Sequence, residues 1–204
     1  MNGSAVGATN KSSHYADPVN LATGNFTFDH TDLRIPAPGM PFEFKRFYNS
    51  KDAMLSQAPL GYGWNHSYNV RLAVDSTTGT RAITFGDSRT ERYELVGGIF
   101  VAEAGIFSTL ATSGSGHVLT TKTQTKFFFD AQGRLTSIVD KNGNTKSLVY
   151  GTLGTLASVT DSAGRIFQFA YDANLRLISL TDPLARVIRF AYDVAGNLIT
   201  ITDA

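Results

Sequence analysis

Four aspartates, Asp140, Asp161, Asp182 and Asp203, stand 21 residues apart. Carboxylates on a fixed step can hold a row of calcium ions, and Asp140-x-Asn142-x-Asn144 has the alternating oxygen donors that begin a calcium loop. The rest of such a loop is missing. Aspartate also opens tight turns by accepting nearby backbone N–H groups, and that reading requires no ion. An aromatic column, Phe129, Tyr150, Tyr171 and Tyr192, keeps the same step. It could form a strip for stacking sugars, but strand geometry separates its members by ~10 Å, so packing on a sheet face fits better. The histidines are His14, His30, His66 and His117. None has a metal-ligand spacing, and His66, alternating with Trp64 and Tyr68, reads as a packed strand residue. Arg34, Lys45, Arg46 and Arg71 are scattered, as on a solvated face. No Gly-x-Ser-x-Gly, phosphate loop or distinct carboxylate pair is present. The sequence therefore assigns no catalytic, cofactor-binding or metal-binding residue, and no enzyme activity is expected.

The elements that position these columns repeat with them. Leu135, Leu156, Leu177 and Leu198 share the step, as do Ile138, Val159, Leu180 and Ile201. A fixed period of this size marks a stacked repeat architecture. Within 165–185, the aromatic and branched run Ile166–Tyr171 suits a strand. Asp172–Asn174 turns the chain, and Arg176–Thr181 forms a second strand. In Asp182-Pro183-Leu184-Ala185, proline occupies the first central turn position. Asn142-Gly143 marks the equivalent turn of the first unit. Each unit is thus an antiparallel hairpin paired edge to edge with the next, about 10 Å of sheet per unit. Gly133, Gly154 and Gly196 fall in register at the other turn. Leu175 breaks that column, and Asn174 beside it is expected to take the left-handed conformation.

Upstream, Phe26–Phe28 and Phe42–Tyr48 alternate as strands, with Phe42, Phe44 and Arg46 on one side. Pro36, Pro38 and Pro41 interrupt any ladder between them. Hairpin-like segments follow from Tyr68 to Val96, the stretch from Ile99 to Leu110 is mixed, and a helical turn is expected near 53–57. The fold class is all-β: antiparallel hairpin repeats in a continuous curved sheet (127–204), preceded by an irregular β module (17–126) and a flexible polar arm (1–16). The net charge of +1 and the lack of basic runs argue against nucleic acid as a partner. No apolar run spans a bilayer, so membrane insertion is not expected. The absence of cysteine excludes disulfides. Residues 1–16 lack the apolar core of an ordinary signal peptide.

These residues carry a resemblance. Tyr192-Asp193-Val194-Ala195-Gly196-Asn197-Leu198 and Asp161-Ser162-Ala163-Gly164-Arg165 resemble the two halves of the Rhs, or YD, repeat. Asp17-Pro18-Val19-Asn20, Thr23-Gly24-Asn25, Asp32-Leu33, Ile35-Pro36, Arg46-x-Tyr48-Asn49-Ser50 and Gly63-Trp64-x-His66-x-Tyr68 are similar to the module preceding such repeats. The resemblance implies a β-sheet that spirals into a hollow shell, enclosing a toxin in bacterial members, and an extracellular or secreted location. About four repeats are present, whereas shells of the family use many more.

One strand points to an interaction. Leu198-Ile199-Thr200-Ile201-Thr202 is apolar and β-branched, and no Pro, Lys or Glu blunts it. Such an edge invites another strand. The expected partners are further Rhs repeats or other copies of the chain. Three functions remain open: the N-terminal part of a toxin-encapsulating shell, a stand-alone protein assembling into a filament or tube, and an adhesin or glycan-binding module.

Overall fold

The computed structural model describes residues 19–20, 23–52 and 57–203. The expected polar arm and most of the expected helical turn near 53–57 lie outside the described residues. Twenty strands account for the described elements.

The repeat region is one open antiparallel meander of ten strands in chain order. Its strands are β11 (Thr109–Ser113), β12 (Gly116–Thr120), β13 (Lys126–Phe129), β14 (Leu135–Val139), β15 (Thr145–Tyr150), β16 (Leu156–Thr160), β17 (Ile166–Tyr171), β18 (Leu177–Thr181), β19 (Val187–Tyr192) and β20 (Leu198–Thr202). The last eight are the four hairpins read from the 21-residue step. The sheet also continues upstream into β11 and β12, where the repeat columns are absent.

Each hairpin carries a bulge that explains its odd-numbered period. The register slips by one residue at Phe128/Phe129, Val149/Tyr150, Ala170/Tyr171 and Ala191/Tyr192. The extra residue in the partner strand is Thr136, Ala157, Ile178 or Ile199. Leu135 and Ile138 are three apart, which in a regular strand would put them on opposite faces. The inserted residue returns both to one face, and both are buried, as are Leu156 with Val159 and Leu177 with Leu180.

The turns share one geometry. Asp161 N–H donates to the Arg165 carbonyl, Gly164 N–H donates to the Asp161 carbonyl, and the same pair of bonds recurs at 130, 140, 151, 172, 182 and 193. This is a type I turn closed by a left-handed residue. Glycine takes that position at 133, 143, 154, 164 and 196. The expectation for Asn174 is corrected: Leu175 itself is left-handed, at φ 62°, and Ala185 is likewise at 63°. The turn's two backbone bonds fix the conformation by position, so Asn174 cannot substitute from the neighbouring site.

The upstream module supplies the second layer. β1 (Val19–Asn20), β2 (Asn25–Ile35), β3 (Phe42–Asn49) and β6 (Trp64–His66) form one sheet. β7 (Arg71–Val74), β8 (Arg81–Thr84), β9 (Thr90–Val96) and β10 (Ile99–Ala102) form another, in the order β10-β9-β8-β7. β4 (Gln57–Ala58) and β5 (Gly61–Tyr62) pair separately. The mixed stretch 99–110 thus resolves into β10 and the start of β11. Buried side chains of module and repeats make one continuous cluster, from Phe42 and Phe44 through Ile83 and Tyr93 to Phe167 and Leu180.

A left-handed backbone costs a residue with a Cβ about 1–2 kcal/mol, partly offset by the extra freedom glycine has when unfolded. Ala185, exposed in its turn, tests this cleanly. Ala185→Gly should raise the unfolding free energy by about 0.5–1 kcal/mol, and Gly164→Ala should lower it similarly. Urea titration of both variants measures the pair, and equal or inverted midpoints would contradict the account.

Candidate functional site: the seam between module and repeat sheet

β3 crosses the buried face of the repeat sheet, and its inward side chains meet it in succession. Phe42 stacks on Phe167 with centroids 3.4 Å apart and planes 3° from parallel. Phe44 lies 6.0 Å from both Phe169 and Phe190. His66 of the neighbouring β6 stacks against Phe44 at 5.2 Å. Alternation along β3 sets this face, as the sequence indicated. Arg46, also on it, is buried rather than solvated: its guanidinium grips Asp32 through two bonds, one of 2.9 Å, and covers the Trp64 ring at 4.9 Å. Arg71 likewise leaves the solvated class, donating to the Gly154 carbonyl at 3.2 Å and lying over Tyr150. Arg34 and Lys45 do sit at the surface, facing Glu43 and Asp29.

The proline segment between β2 and β3 is a latch. Its carbonyls accept from three repeat side chains: Pro36 from Arg165 at 2.5 Å, Pro38 from Ser162 at 2.6 Å and Pro41 from Lys146 at 2.7 Å. Proline removes N–H donors and leaves carbonyls, which suits a segment read only by donors. Lys146 is notable for its column. It occupies the position of Phe167 and Ile188 in later repeats, is itself buried, and burial lowers its pKa despite the attraction of Glu43 and Asp161. Along the opposite row of turns, Leu72 N–H donates to the Gly133 carbonyl at 2.8 Å and Leu177 N–H to the Pro59 carbonyl at 2.7 Å. Any Cβ at Gly133 would collide with the Leu72 carbonyl.

The aspartate column closes turns. Asp161 Oδ1 accepts from Ala163 N–H and Arg165 N–H at 2.9 and 3.0 Å, and Oδ2 accepts from Arg165 Nε at 2.8 Å. Asp182 does the same with Leu184 and Arg186, and Asp140 with Asn142 and Asn144. Burial disfavours the Asp161 carboxylate, but the bonds from Arg165 and Ala163 outweigh it and hold the pKa below the usual value. Asp203 lies just beyond β20 and has interactions of its own. Among the described residues, no three His, Cys, Asp or Glu groups converge as a metal site would require.

A second row escaped the sequence reading. Asp130, Asp172 and Asp193 close the alternate turns through Arg134, Arg176 and Asn197. The usable signal was an Asp followed four residues later by Arg or Asn, recurring at alternating steps of 10 and 11 residues and broken only at Gly151. The tyrosine column is built into the sheet. The Tyr150 hydroxyl donates to the Leu135 carbonyl at 3.0 Å and that of Tyr192 to Leu177 at 2.6 Å, and Tyr171 bonds the backbone of Leu156. Each bond reaches back 15 residues to the leucine beside the bulge. Phe129 fills the same position without a hydroxyl and is buried. Arg71 and Arg134 cover Tyr150, and Arg176 covers Tyr192.

β20 pairs only with β19 in the sheet order. Its residues divide by face. Leu198 and Ile201 pack on the core, whereas Ile199, the bulged residue, is 62% exposed. Thr200 and Thr202 are exposed. Beside β20 opens a cleft of about 480 Å³ lined by Tyr48, Tyr62, Trp64, Ala195, Asn197 and Leu198.

Comparison with known proteins finds matches in both the module and the repeats. A family model described as RHS Repeat matches residues 115–170 and 171–204. A model described as a domain of unknown function, DUF6531, matches residues 16–93. Among curated proteins the chain is similar to tRNA nuclease WapA of Bacillus subtilis strain 168, with 30% identity over 134 residues. It is equally similar to tRNA(Glu)-specific nuclease WapA of Bacillus subtilis subsp. natto and, again at 30%, to tRNA3(Ser)-specific nuclease WapA of Bacillus spizizenii. Each match covers 65% of this chain and 6% of the relative.

Two predictions follow from the seam. Phe42→Ala should cost about 3–5 kcal/mol. Because the core is shared, Trp64 fluorescence and far-UV dichroism should still report one coincident transition; separate transitions would show that module and repeats fold independently. His66 is neutral and buried, and burial, reinforced by Arg71, lowers its pKa to about 3. Its unfolded value is about 6.5, so its stabilisation is complete above pH 6.5 and is lost as pH falls toward 3. The turn carboxylates, held below 3.8, titrate beneath most of this window. His66 alone should therefore lower stability by about 1.4 kcal/mol per pH unit between pH 6 and 4.5. Denaturant titrations of His66→Phe across that range should show a distinctly shallower slope, with His117, also lowered by burial and Arg81, supplying what remains.

Proposed function

Since the chain belongs to the Rhs-repeat family, in which it is a structural repeat protein, we propose that it forms the N-terminal portion of the wall of an Rhs-type shell that encloses a toxin. The observation that carries this reading is the shared core: the module covers the apolar face of the first repeats and is latched along both rows of turns. Stacked hairpins cannot bury that face alone, so a capping module at one end and open growth at the other suit a wall. In this reading the module starts the sheet and β20 is its growing edge, continued by further repeats.

The role is non-enzymatic. The turn aspartates, the tyrosine hydroxyls and His66 are engaged in turns, inter-repeat bonds and ring packing, which favours structural duties for all three groups. The chain spans about 6% of the length of the curated relatives it matches, and the nuclease activity in their names is assigned here to no residue of this chain. An extracellular or exported destination follows from the same reading.

Two measurements test it. The reading frame beyond codon 204 should encode further Tyr-Asp repeats, and electron microscopy of the full-length gene product should show closed particles with internal density. Filaments that lengthen with protein concentration would replace the shell with a self-assembling polymer. Particles lacking a lumen would also overturn it.

A further inference from the structure

The aromatic cleft beside β20 is unused by the seam. We infer that it is the module's seat for the next repeat hairpin, receiving the inward-facing side chains of a fifth unit paired on β20. This rests on the shell-wall reading and adds to it that the module itself, and not only the β20 backbone, recognises the incoming strands.

Three observations converge. First, β3 advances across the repeats. Phe42 meets Phe167, Phe44 meets Phe169 and Phe190, and Tyr48 then reaches the cleft, where β20 contributes Leu198. The module thus extends beside the last strand. Second, its aromatics are assembled there but half covered. Phe26 lies 5.8 Å from Tyr48, Tyr48 5.1 Å from Trp64, and Phe28 6.1 Å from Trp64. Of the residues lining the cleft, Tyr62 is 38% exposed, and Tyr48 and Trp64 are partly covered. Third, the core columns lose cover at this strand. Leu177 and Leu180 are fully buried in β18, yet their counterparts Leu198 and Ile201 in β20 are only partly buried.

In this reading the next hairpin has a defined chemistry. By the repeat columns it brings an apolar residue at each position equivalent to Ile188 and Phe190. By the 15-residue rule it brings a tyrosine whose hydroxyl donates to the Leu198 carbonyl. A cleft of about 480 Å³ far exceeds the roughly 30 Å³ that one water occupies in the liquid, so side chains fit it. An antiparallel hairpin is favoured over a free ligand because the cleft adjoins a strand edge that offers backbone pairing.

Trp64 is the only tryptophan and lines the cleft, so it reports occupancy. The experiment appends a copy of residues 183–203 after Asp203 of the whole chain. A second extended protein carries serine at the two positions copied from Ile188 and Phe190. In the first, Trp64 emission should shift to the blue and its acrylamide quenching should fall, with a higher Tm. The serine version should lose both effects, and Tyr48→Ala should reduce the gain in Tm from the extension. If the extension orders and raises Tm while Trp64 stays as quenchable as before, the seat is wrong and the growing edge stands. If the extension does not order at all, the edge reading and the seat fail together. Protection of Trp64 in the unextended chain that rises with protein concentration would assign the cleft to a second copy and overturn the inference.

Discussion

The structure depends on one extra residue per hairpin. Thr136, Ala157, Ile178 and Ile199 each interrupt the ladder opposite the aromatic column. Without them, leucine and its branched partner three residues later would face opposite sides of the sheet, and half of the apolar columns would point at solvent. The bulge also fixes the tyrosines' role. Their hydroxyls reach back 15 residues to the leucine carbonyl beside the slip, tying each unit to the one before. A bulge bends the strand and increases its twist. Repeated once per hairpin at the same place, it bends every unit in the same sense.

A sheet built this way has one strongly apolar face and cannot stand alone in water. The module solves this for the first units with shape and with polar matching. Phe42 and Phe44 provide stacking area. The three proline-segment carbonyls and Lys146 provide register, since a donor sits at only one position of an otherwise apolar column. Exchanging Lys146 for the aromatic or aliphatic residue of later repeats would leave the Pro41 carbonyl without its donor, and an unpaired polar group in a buried seam costs about 1–3 kcal/mol. The seam is therefore specific to the first repeats, although the repeats themselves are nearly interchangeable.

The legible part of the fold was what recurs. Hairpins, turn positions, the apolar columns and the alternating face of β3 follow from spacing alone, because strand period and turn chemistry are local rules. The seam was not legible. Arg46 and Arg71 look like scattered surface charges in one dimension; the β2–β3 pairing, bulged at Asp32, brings Arg46 to Asp32, and the bridge of Arg71 to Arg134, just before β14 of the repeat sheet, brings Arg71 to Tyr150. Leu175 was misjudged for a related reason: the turn's backbone bonds choose the left-handed position, and side-chain preference at Asn174 cannot move it. β11 and β12 join the sheet through a turn in which Thr121 accepts from Thr125 N–H and Gln124 is left-handed. The geometry is retained there, but the aspartate that advertises it elsewhere is absent.

Charge bears on how far such a sheet can extend. Asp130, Asp161, Asp172 and Asp182 each neutralise an arginine four residues on, while Asp140 and Asp193 use asparagine instead. The Asp161 and Asp182 carboxylates are buried, but their arginines reach solvent, which screens the pairs and keeps each contribution modest. Their larger effect is collective: stacked turns lie about 10 Å apart, comparable to the screening length of physiological salt, so unpaired carboxylates would repel along the row. Pairing most of them within their own turns lets units be added without building up a field, in keeping with a net charge of only +1. The turn chemistry that closes each hairpin is thus also what permits the next one to be stacked on it.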